Sequence, residues 1–371
     1  MTTDQPVPGP HNAITDVPGV LVGQVERTDQ PYLTGTTVLY FPGTAVAGVD
    51  VRGGAPGTRE TDLLDPVNSN PGVNAIVLTG GSAFGLDAAM GTMRWLEDQG
   101  QGVRVGPGDR DVVPIVPAAV IFDLGRGGGF QARPDQTWGR EAIEVAADGS
   151  VAEGNHGAGA GARAGRLKGG VGSASVRLPD GATVGALVIV NAVGSTVDAR
   201  GRLYGERFGL PGEFPELQTP VESPPDMPGA IPGMNTVIAV VATDVPLDKA
   251  AAKRMAMVAH DGLARAVDPI HTLVDGDTIF AASTGGIAPT GGTGVPTATS
   301  AVTGAAGTGG APRLSVTDPA ALVQLETVFA AGARTLSRAI VRAVLAAESV
   351  ETPAGRLVSY RDAYPSAFPT S

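Results

Sequence analysis

The sequence predicts an α+β protein, because strand-like segments occur in runs while helix-like segments form long separate blocks. Apolar segments at 20–25, 36–40, 45–51 and 74–78 all precede the first helical pattern at residue 82. The 54 glycines and 30 prolines suit short strands joined by tight turns. This arrangement favours sheets covered by helices over a regular βαβ alternation.

Each predicted strand is a short apolar run between Gly, Pro or polar turn residues. The later strands lie at 118–123, 173–177, 183–190, 236–242 and 277–282. Asn191 directly follows the strand 183–190, and Asn235-Thr236 leads into the strand 236–242. Polar residues with possible chemical roles therefore lie at the ends of buried strands.

The predicted helices follow from apolar residues at helical spacing. Leu86, Ala89, Met93 and Leu96 form one apolar stripe in a helix over 82–98, with Ser82 as its N-cap. The other helices are 137–147, 247–266 with Asp244 as N-cap, and 318–349. Residues 202–233 are predicted to be a linker, 285–310 a surface loop and 355–371 an irregular tail.

Composition excludes several classes of function. The formal net charge of −11 argues against binding to nucleic acid or to anionic membrane surfaces. The absence of cysteine excludes disulfides, thiolate chemistry and cysteine-based zinc sites. The four histidines have no usual metal-ligand spacing, so we expect no metal. A polar, proline-rich start and the lack of a long apolar run predict a cytoplasmic protein.

Two glycine motifs resemble known sites only loosely. Gly159-x-Gly161-x-x-Ala164 approximates a dinucleotide fingerprint, but no strand precedes it, so we expect no cofactor. The segment from Gly80 to Phe84 fails the Gly-x-Ser-x-Gly nucleophile pattern, because Phe84 occupies its last position.

The dipeptide Asn235-Thr236 is the candidate site of self-cleavage. It lies between a Pro/Gly-rich segment and an apolar strand. Cleavage before Thr236 would give that residue a free α-amino group beside its own hydroxyl, a recognised pairing of base and nucleophile. The alternative is an ordinary turn that enters a strand.

Four further polar residues each have a chemical and a structural interpretation. Lys168 follows a glycine run and is either a nucleophile-activating group or a solvated loop lysine. Asn191 is either an oxyanion donor or a strand-end amide that bonds to nearby backbone. Asp275 and Asp277 either orient an ammonium group or belong to an Asp-Gly turn.

Together with the segments 12–20, 80–86 and 120–123, these residues are similar to the L-aminopeptidase/D-esterase family of autoprocessing peptidases. That family includes β-peptidyl aminopeptidases and the 6-aminohexanoate-oligomer endohydrolase (nylon hydrolase). The resemblance covers about residues 12–345. Asn-Thr at the cleavage point places the chain nearest the nylon hydrolase branch.

The resemblance implies a four-layer αββα sandwich of the N-terminal-nucleophile-hydrolase type. It also implies autocleavage between Asn235 and Thr236 of a single domain (1–371) into an α-chain (1–235) and a β-chain (236–371). The implied catalytic residues are Thr236, Lys168, Asn191, Asp275 and Asp277. Phe122 occupies a substrate-binding position where relatives often carry tyrosine.

The implied activity is hydrolysis of amide bonds in short peptides or 6-aminohexanoate oligomers through an acyl-enzyme, without cofactor or metal. The implied assembly is a homo-oligomer of αβ heterodimers. Two alternatives are an acyltransferase of related fold and an unprocessed, non-catalytic binding protein.

Overall fold

The computed structural model describes residues 5–225, 235–285 and 318–369, and it confirms the α+β class. The helices are α1 (Ser82–Gly85), α2 (Ala88–Asp98), α3 (Gln136–Glu144), α4 (Lys249–Ala264), α5 (Pro319–Ala346) and α6 (Tyr360–Ala363). The strands are β1 (Leu21–Arg27), β2 (Thr34–Val51), β3 (Thr58–Arg59), β4 (Val73–Thr79), β5 (Val103–Arg104), β6 (Val112–Val113), β7 (Ala118–Val120), β8 (Arg163–Ala164), β9 (Leu167–Lys168), β10 (Gly170–Arg177), β11 (Thr183–Val190), β12 (Ile238–Thr243), β13 (Thr278–Ser283), β14 (Val350–Thr352) and β15 (Gly355–Leu357).

The long strand β2 belongs to two sheets. Its second half pairs antiparallel with β13, which extends the first sheet in the order β10-β11-β12-β13-β2. Its first half pairs with β1 and β4, and β7 and β3 complete the second sheet. The register shifts between Tyr40 and Ala45, where the strand passes from one sheet to the other.

The two sheets stack face to face between two pairs of helices. In β12, the side chains of Ile238 and Val240 lie in the core between the sheets, whereas Ala239 and Val241 pack towards α4 and α5. The outer face of the second sheet packs on α2 and α3 through residues such as Val38 and Val77. A strand covered on both faces must be apolar at successive positions, as β11 and β12 are. The αββα sandwich is confirmed.

Several predicted boundaries are wrong. The strands predicted at 36–40 and 45–51 are one 18-residue strand, because the segment between them continues the pairing through an irregularity. The predicted irregular tail contains the hairpin β14–β15 and the short helix α6. The predicted linker contains a 3-10 turn at Glu206–Phe208, and its last part, 226–233, lies outside the described residues. The predicted loop 285–310 also lies outside them except for Gly285.

Both predicted helix caps are also wrong. Ser82 has a left-handed backbone with φ 52°, and the N-cap before it is Gly81. The predicted helix 82–98 is divided into α1 and α2. Asp248 caps α4 by accepting a bond from the Ala251 N–H at 2.7 Å. Asp244 instead accepts from the Thr183 N–H at 2.8 Å and joins the ends of β11 and β12.

None of the helices in the described ranges is both long and apolar enough to cross a membrane.

Candidate active site

Thr236 lies two residues before β12, a central strand between β11 and β13. The predicted strand 236–242 therefore begins two residues later, at Ile238. The Thr236 N–H donates to the Asn191 carbonyl at 2.5 Å, and its side chain is 5% exposed. The Thr236 hydroxyl donates to the Asn235 carbonyl oxygen at 2.6 Å. The hydroxyl therefore lies against the peptide bond that the sequence predicts to be cut.

Gly276 faces that same carbonyl from the loop before β13. Its N–H donates to the Asn235 oxygen at 3.2 Å. A Cβ atom at Gly276 would lie 2.9 Å from the Thr236 hydroxyl oxygen and 2.7 Å from the Ala55 carbonyl oxygen, so a side chain does not fit there. A fixed backbone N–H on a carbonyl oxygen is the arrangement that stabilises negative charge during acyl transfer.

Asp277 is fully buried and holds the backbone on both sides of this loop. One carboxylate oxygen accepts from the Val237 N–H at 2.8 Å. The other accepts from the His271 N–H at 3.0 Å and lies 2.8 Å from His271 Nδ1. Asp277 thereby ties the residue after Thr236 to the loop that carries Gly276.

Asp275 is also fully buried and bonds mainly within its own loop. It accepts from the Thr272 N–H at 3.1 Å, the Thr272 hydroxyl at 2.6 Å and the Val193 N–H at 3.3 Å. Burial, opposed by the bonds from Thr272, raises the pKa of Asp275, and the nearby Asp277 raises it further. Neither aspartate hydrogen-bonds to Lys168, whose ammonium bonds to backbone carbonyls instead.

Asn191 joins Thr236 to Arg126, a half-buried arginine that the sequence analysis missed. The Asn191 side-chain oxygen accepts from Arg126 Nη1 at 2.6 Å and from the Arg163 N–H at 3.0 Å, and its Nδ2 donates to the Phe122 carbonyl at 3.3 Å. Arg126 Nη2 donates to the Asn235 side-chain oxygen at 3.1 Å. Burial lowers the pKa of Arg126 to about 10.

Lys168 is fully buried in β9, which excludes the solvated loop lysine. Its ammonium donates to the Gly159 carbonyl at 3.0 Å and to the Gly169 carbonyl at 2.9 Å. Burial and, to a smaller extent, the charge of Arg126 lower the pKa of Lys168 to about 7, while Asp123 opposes the shift. Such a lysine is partly neutral at neutral pH and can exchange a proton there.

Asp123 is another charged residue that the sequence analysis did not select, and it is buried. One oxygen accepts from the Gly81 N–H at 2.7 Å, and the other has no hydrogen-bond partner within the described part of the chain. Burial raises the pKa of this carboxyl group. The negative charge of Asp123 is close enough to Lys168 and Arg126 to raise the pKa of both, against the lowering effect of burial.

Phe122 lies two residues beyond the end of β7 and is half-buried. Its backbone carbonyl contacts Asn191, which brings it beside the other candidate residues.

The structure therefore brings Asn235, Thr236 and Asn191 into direct contact, and Asp277 reaches them through Val237. Lys168 has no hydrogen bond to any of them, and its pKa is affected by the charge of Arg126, which bonds to Asn191 and Asn235. Arg126 and Gly276 were missed because a lone arginine among glycines and a glycine in a turn carry no distinctive spacing. Within the described ranges, no group of three His, Cys, Asp or Glu residues could hold a metal ion.

A family model, "Peptidase family S58", matches residues 12–358. The chain belongs to peptidase family S58. It is accordingly an enzyme, a hydrolase of the N-terminal-nucleophile type.

Individual relatives agree with this placement. The chain is 46% identical to an uncharacterized aminopeptidase of Mycobacterium tuberculosis, over 96% of this chain and 99% of the relative. It is 32% identical to the 6-aminohexanoate-oligomer endohydrolase of Paenarthrobacter ureafaciens, over 72% of this chain and 74% of that protein. The endohydrolase is thus the more distant of the two, contrary to the expected placement nearest the nylon hydrolase branch.

A solved structure supports the fold. The L-aminopeptidase D-Ala-esterase/amidase from Ochrobactrum anthropi, described as a variant of the N-terminal-nucleophile hydrolase fold, superposes with a TM-score of 0.67. The identity is 25%, and the match covers 95% of this chain and 92% of that one.

Proposed function

We propose that this S58 enzyme is a self-processing threonine hydrolase that cleaves amide bonds, with Thr236 as its nucleophile. The observation that carries the proposal is the 2.6 Å contact between the Thr236 hydroxyl and the Asn235 carbonyl oxygen, with the Gly276 N–H on the same oxygen. An ordinary turn into a strand needs neither the buried hydroxyl nor the second donor.

Processing begins in the intact chain. The Thr236 hydroxyl oxygen attacks the Asn235 carbonyl carbon, the C–N bond breaks, and the hydroxyl proton ends on the departing nitrogen. Water then hydrolyses the resulting ester, which leaves a carboxylate on Asn235 and a free amine on Thr236. The Gly276 N–H stabilises the negative charge that develops on the Asn235 oxygen.

The mature enzyme repeats this chemistry on an external amide. A free α-amino group has a reference pKa of about 7.7–8.0, so the Thr236 amine can take the hydroxyl proton near neutral pH. Thr236 forms an acyl-enzyme, the substrate's amine leaves with that proton, and water releases the acyl group. Lys168, with its pKa lowered to about 7, supports the proton transfers from the buried side of the site.

Asn191, Asp275 and Asp277 complete the proposed machinery. Asn191 fixes the Thr236 nitrogen through its backbone carbonyl, and its side-chain amide is a candidate oxyanion donor. The two aspartates hold the loop that carries Gly276 and orient the new amine. Substrates are short peptides with a free N-terminus or 6-aminohexanoate oligomers, with Phe122 beside them, and the processed chains 1–235 and 236–371 remain paired in a homo-oligomer.

Intact mass spectrometry with N-terminal sequencing tests the proposal. We expect two chains, one of which starts Thr-Val-Ile-Ala at Thr236. Thr236→Ala should give one uncleaved chain without hydrolase activity, whereas Thr236→Ser should still process because it keeps the hydroxyl. Normal cleavage of the alanine variant would overturn the assignment of Thr236.

A further inference from the structure

The side chain of Asn235 occupies a fully enclosed polar pocket on the acyl side of the predicted scissile bond. Asn235 has no exposed surface. Its amide nitrogen donates to the Ala192 carbonyl at 2.7 Å, and its side-chain oxygen accepts from Arg126 Nη2 at 3.1 Å. Both ends of the carboxamide therefore have a partner.

The chemistry of the two partners determines the orientation of this amide. A guanidinium can only donate and a peptide carbonyl can only accept, so the oxygen must face Arg126 and the nitrogen must face Ala192. Arg126 is itself fixed by two bonds from its other nitrogen, to the Gly161 carbonyl at 2.5 Å and to the Asn191 side-chain oxygen at 2.6 Å. The pocket is thus rigid and has one donor and one acceptor.

We propose that Arg126 and the Ala192 carbonyl form the acyl-side specificity pocket of the mature enzyme and select substrates whose N-terminal residue is asparagine. The inference rests on the proposed function, in which the Asn235 carbonyl and the substrate carbonyl are attacked by the same hydroxyl. The side chain attached to the attacked carbonyl then takes the same place in both reactions. Of the two proposed substrate classes, the pocket therefore favours peptides that begin with asparagine over 6-aminohexanoate oligomers, whose acyl group has no carboxamide to bond to Arg126 and Ala192. Once the bond is cut, Asn235 vacates that place for the substrate.

The pocket distinguishes asparagine from residues of similar shape. Leucine has the same branching at Cγ but leaves both Arg126 Nη2 and the Ala192 carbonyl without partners. Aspartate can accept from Arg126, but its second oxygen would face the Ala192 carbonyl, so two acceptors would meet. Sites that bond a substrate's polar group reject analogues that lack it far more strongly than apolar pockets reject a missing methylene.

The first experiment uses the wild-type enzyme, with its processing verified by mass, and p-nitroanilides of L-asparagine, L-aspartate and L-leucine. We expect kcat/KM for the asparagine anilide to exceed that for the leucine anilide by about 100-fold or more, with aspartate between them. A processed enzyme that hydrolyses leucine anilide as well as asparagine anilide overturns the specificity pocket but not the proposed function. A chain that remains intact and hydrolyses none of the three overturns the proposed function as well.

A pair of arginine variants tests the role of Arg126. Arg126→Met keeps the aliphatic length and removes the donors, so the ratio of asparagine to leucine kcat/KM should fall by about tenfold or more. The control is Arg140→Met, whose guanidinium is exposed on α3 and pairs with Asp98 and Glu144, and the ratio should not change. An unchanged ratio in Arg126→Met would contradict the proposal even if the overall rate falls.

A substitution at Asn235 tests the same pocket if Arg126→Met fails to process. Asn235→Leu should slow self-cleavage by about tenfold or more relative to wild type, followed as loss of the intact mass with time. Self-cleavage of that variant at the wild-type rate would show that the pocket does not recognise a carboxamide.

Discussion

The two sides of Thr236 differ in how their buried charges are bonded. On the acidic side, Asp275 accepts three hydrogen bonds, two of them within its own loop. Asp277 accepts from two backbone N–H groups and lies 2.8 Å from His271 Nδ1. On the basic side, the Lys168 ammonium has only two carbonyl partners, and one oxygen of Asp123 has no partner among the described residues. The pKa values of Lys168 and Arg126 are lowered by burial there.

This difference indicates a division of roles. A carboxylate that accepts several bonds from backbone N–H groups holds the chain in one conformation. A desolvated lysine with a pKa of about 7 can change its protonation state at little cost. We therefore propose that the acidic side fixes the geometry of the Gly276 loop and that the basic side supplies proton transfer.

The largest expected effect is that of Lys168→Met, which removes the proposed proton-transfer group. Hydrolysis by the processed enzyme should slow by about 10²–10⁴-fold, the usual contribution of a positioned acid or base. Single-turnover rates measured on the processed enzyme check this. Lys168→Arg keeps a positive charge with a much higher pKa, so recovery of the rate in that control would show that charge, not proton transfer, is what the site needs.

The same lysine predicts a pH-dependent stability. The pKa of Lys168 is about 7 in the folded chain, against 10.5 for an ordinary lysine. Between these values the unfolded chain binds a proton that the folded chain does not, so lowering the pH destabilises the fold. The test compares the uncut chain Thr236→Ala with Thr236→Ala/Lys168→Met. As the pH falls from 9.5 to 7.5, the free energy of unfolding of the lysine chain should decrease relative to that of the methionine chain by about 1.4 kcal/mol per pH unit.

That difference between the two chains should become constant below about pH 7, where Lys168 is protonated in both states. Urea unfolding at several pH values provides the measurement. If the difference in unfolding free energy between the two chains does not vary with pH, Lys168 is not desolvated. The proposed difference between the acidic and basic sides would then be wrong.

Gly276→Ala tests whether the loop held by the two aspartates must keep its position for self-cleavage. The new Cβ would lie 2.9 Å from the Thr236 hydroxyl oxygen, so the loop or the hydroxyl must shift. We expect self-cleavage to slow by about 10²-fold, because small misplacements of reacting groups are costly. Time-resolved intact mass measures the rate; Gly43→Ala, at a position with open space, should process normally.

The smallest expected effect is on stability, in Asp277→Asn. An asparagine can replace one acceptor but presents N–H groups to the Val237 or His271 N–H, so we expect a loss of about 1–3 kcal/mol in the free energy of unfolding. The Thr236→Ala background keeps the chain uncut for denaturant unfolding. Asp98→Asn, in an exposed ion pair with Arg140, should change stability by less than about 1 kcal/mol.

Much of the fold could be predicted because its elements carry local signals. The apolar runs of β4, β10, β11, β12 and β13, and the helical stripes of α4 and α5, are visible in the sequence. The continuity of β2 was not, because a strand that passes between sheets contains a Pro-Gly pair that usually indicates a turn. Ser82 and Asp244 were plausible caps, but the caps are decided by which N–H groups lie within reach.

The sequence by itself determined the family resemblance, the αββα expectation and the candidates Thr236, Lys168 and Asn191, since these depend on residue order and motif context. Only the tertiary structure decided the partners of those residues. Arg126 reaches Asn235 across 109 positions of the chain, and Gly276 reaches the same residue from the loop before β13. The burial that lowers the pKa of Lys168 likewise arises only when distant segments pack together and exclude water.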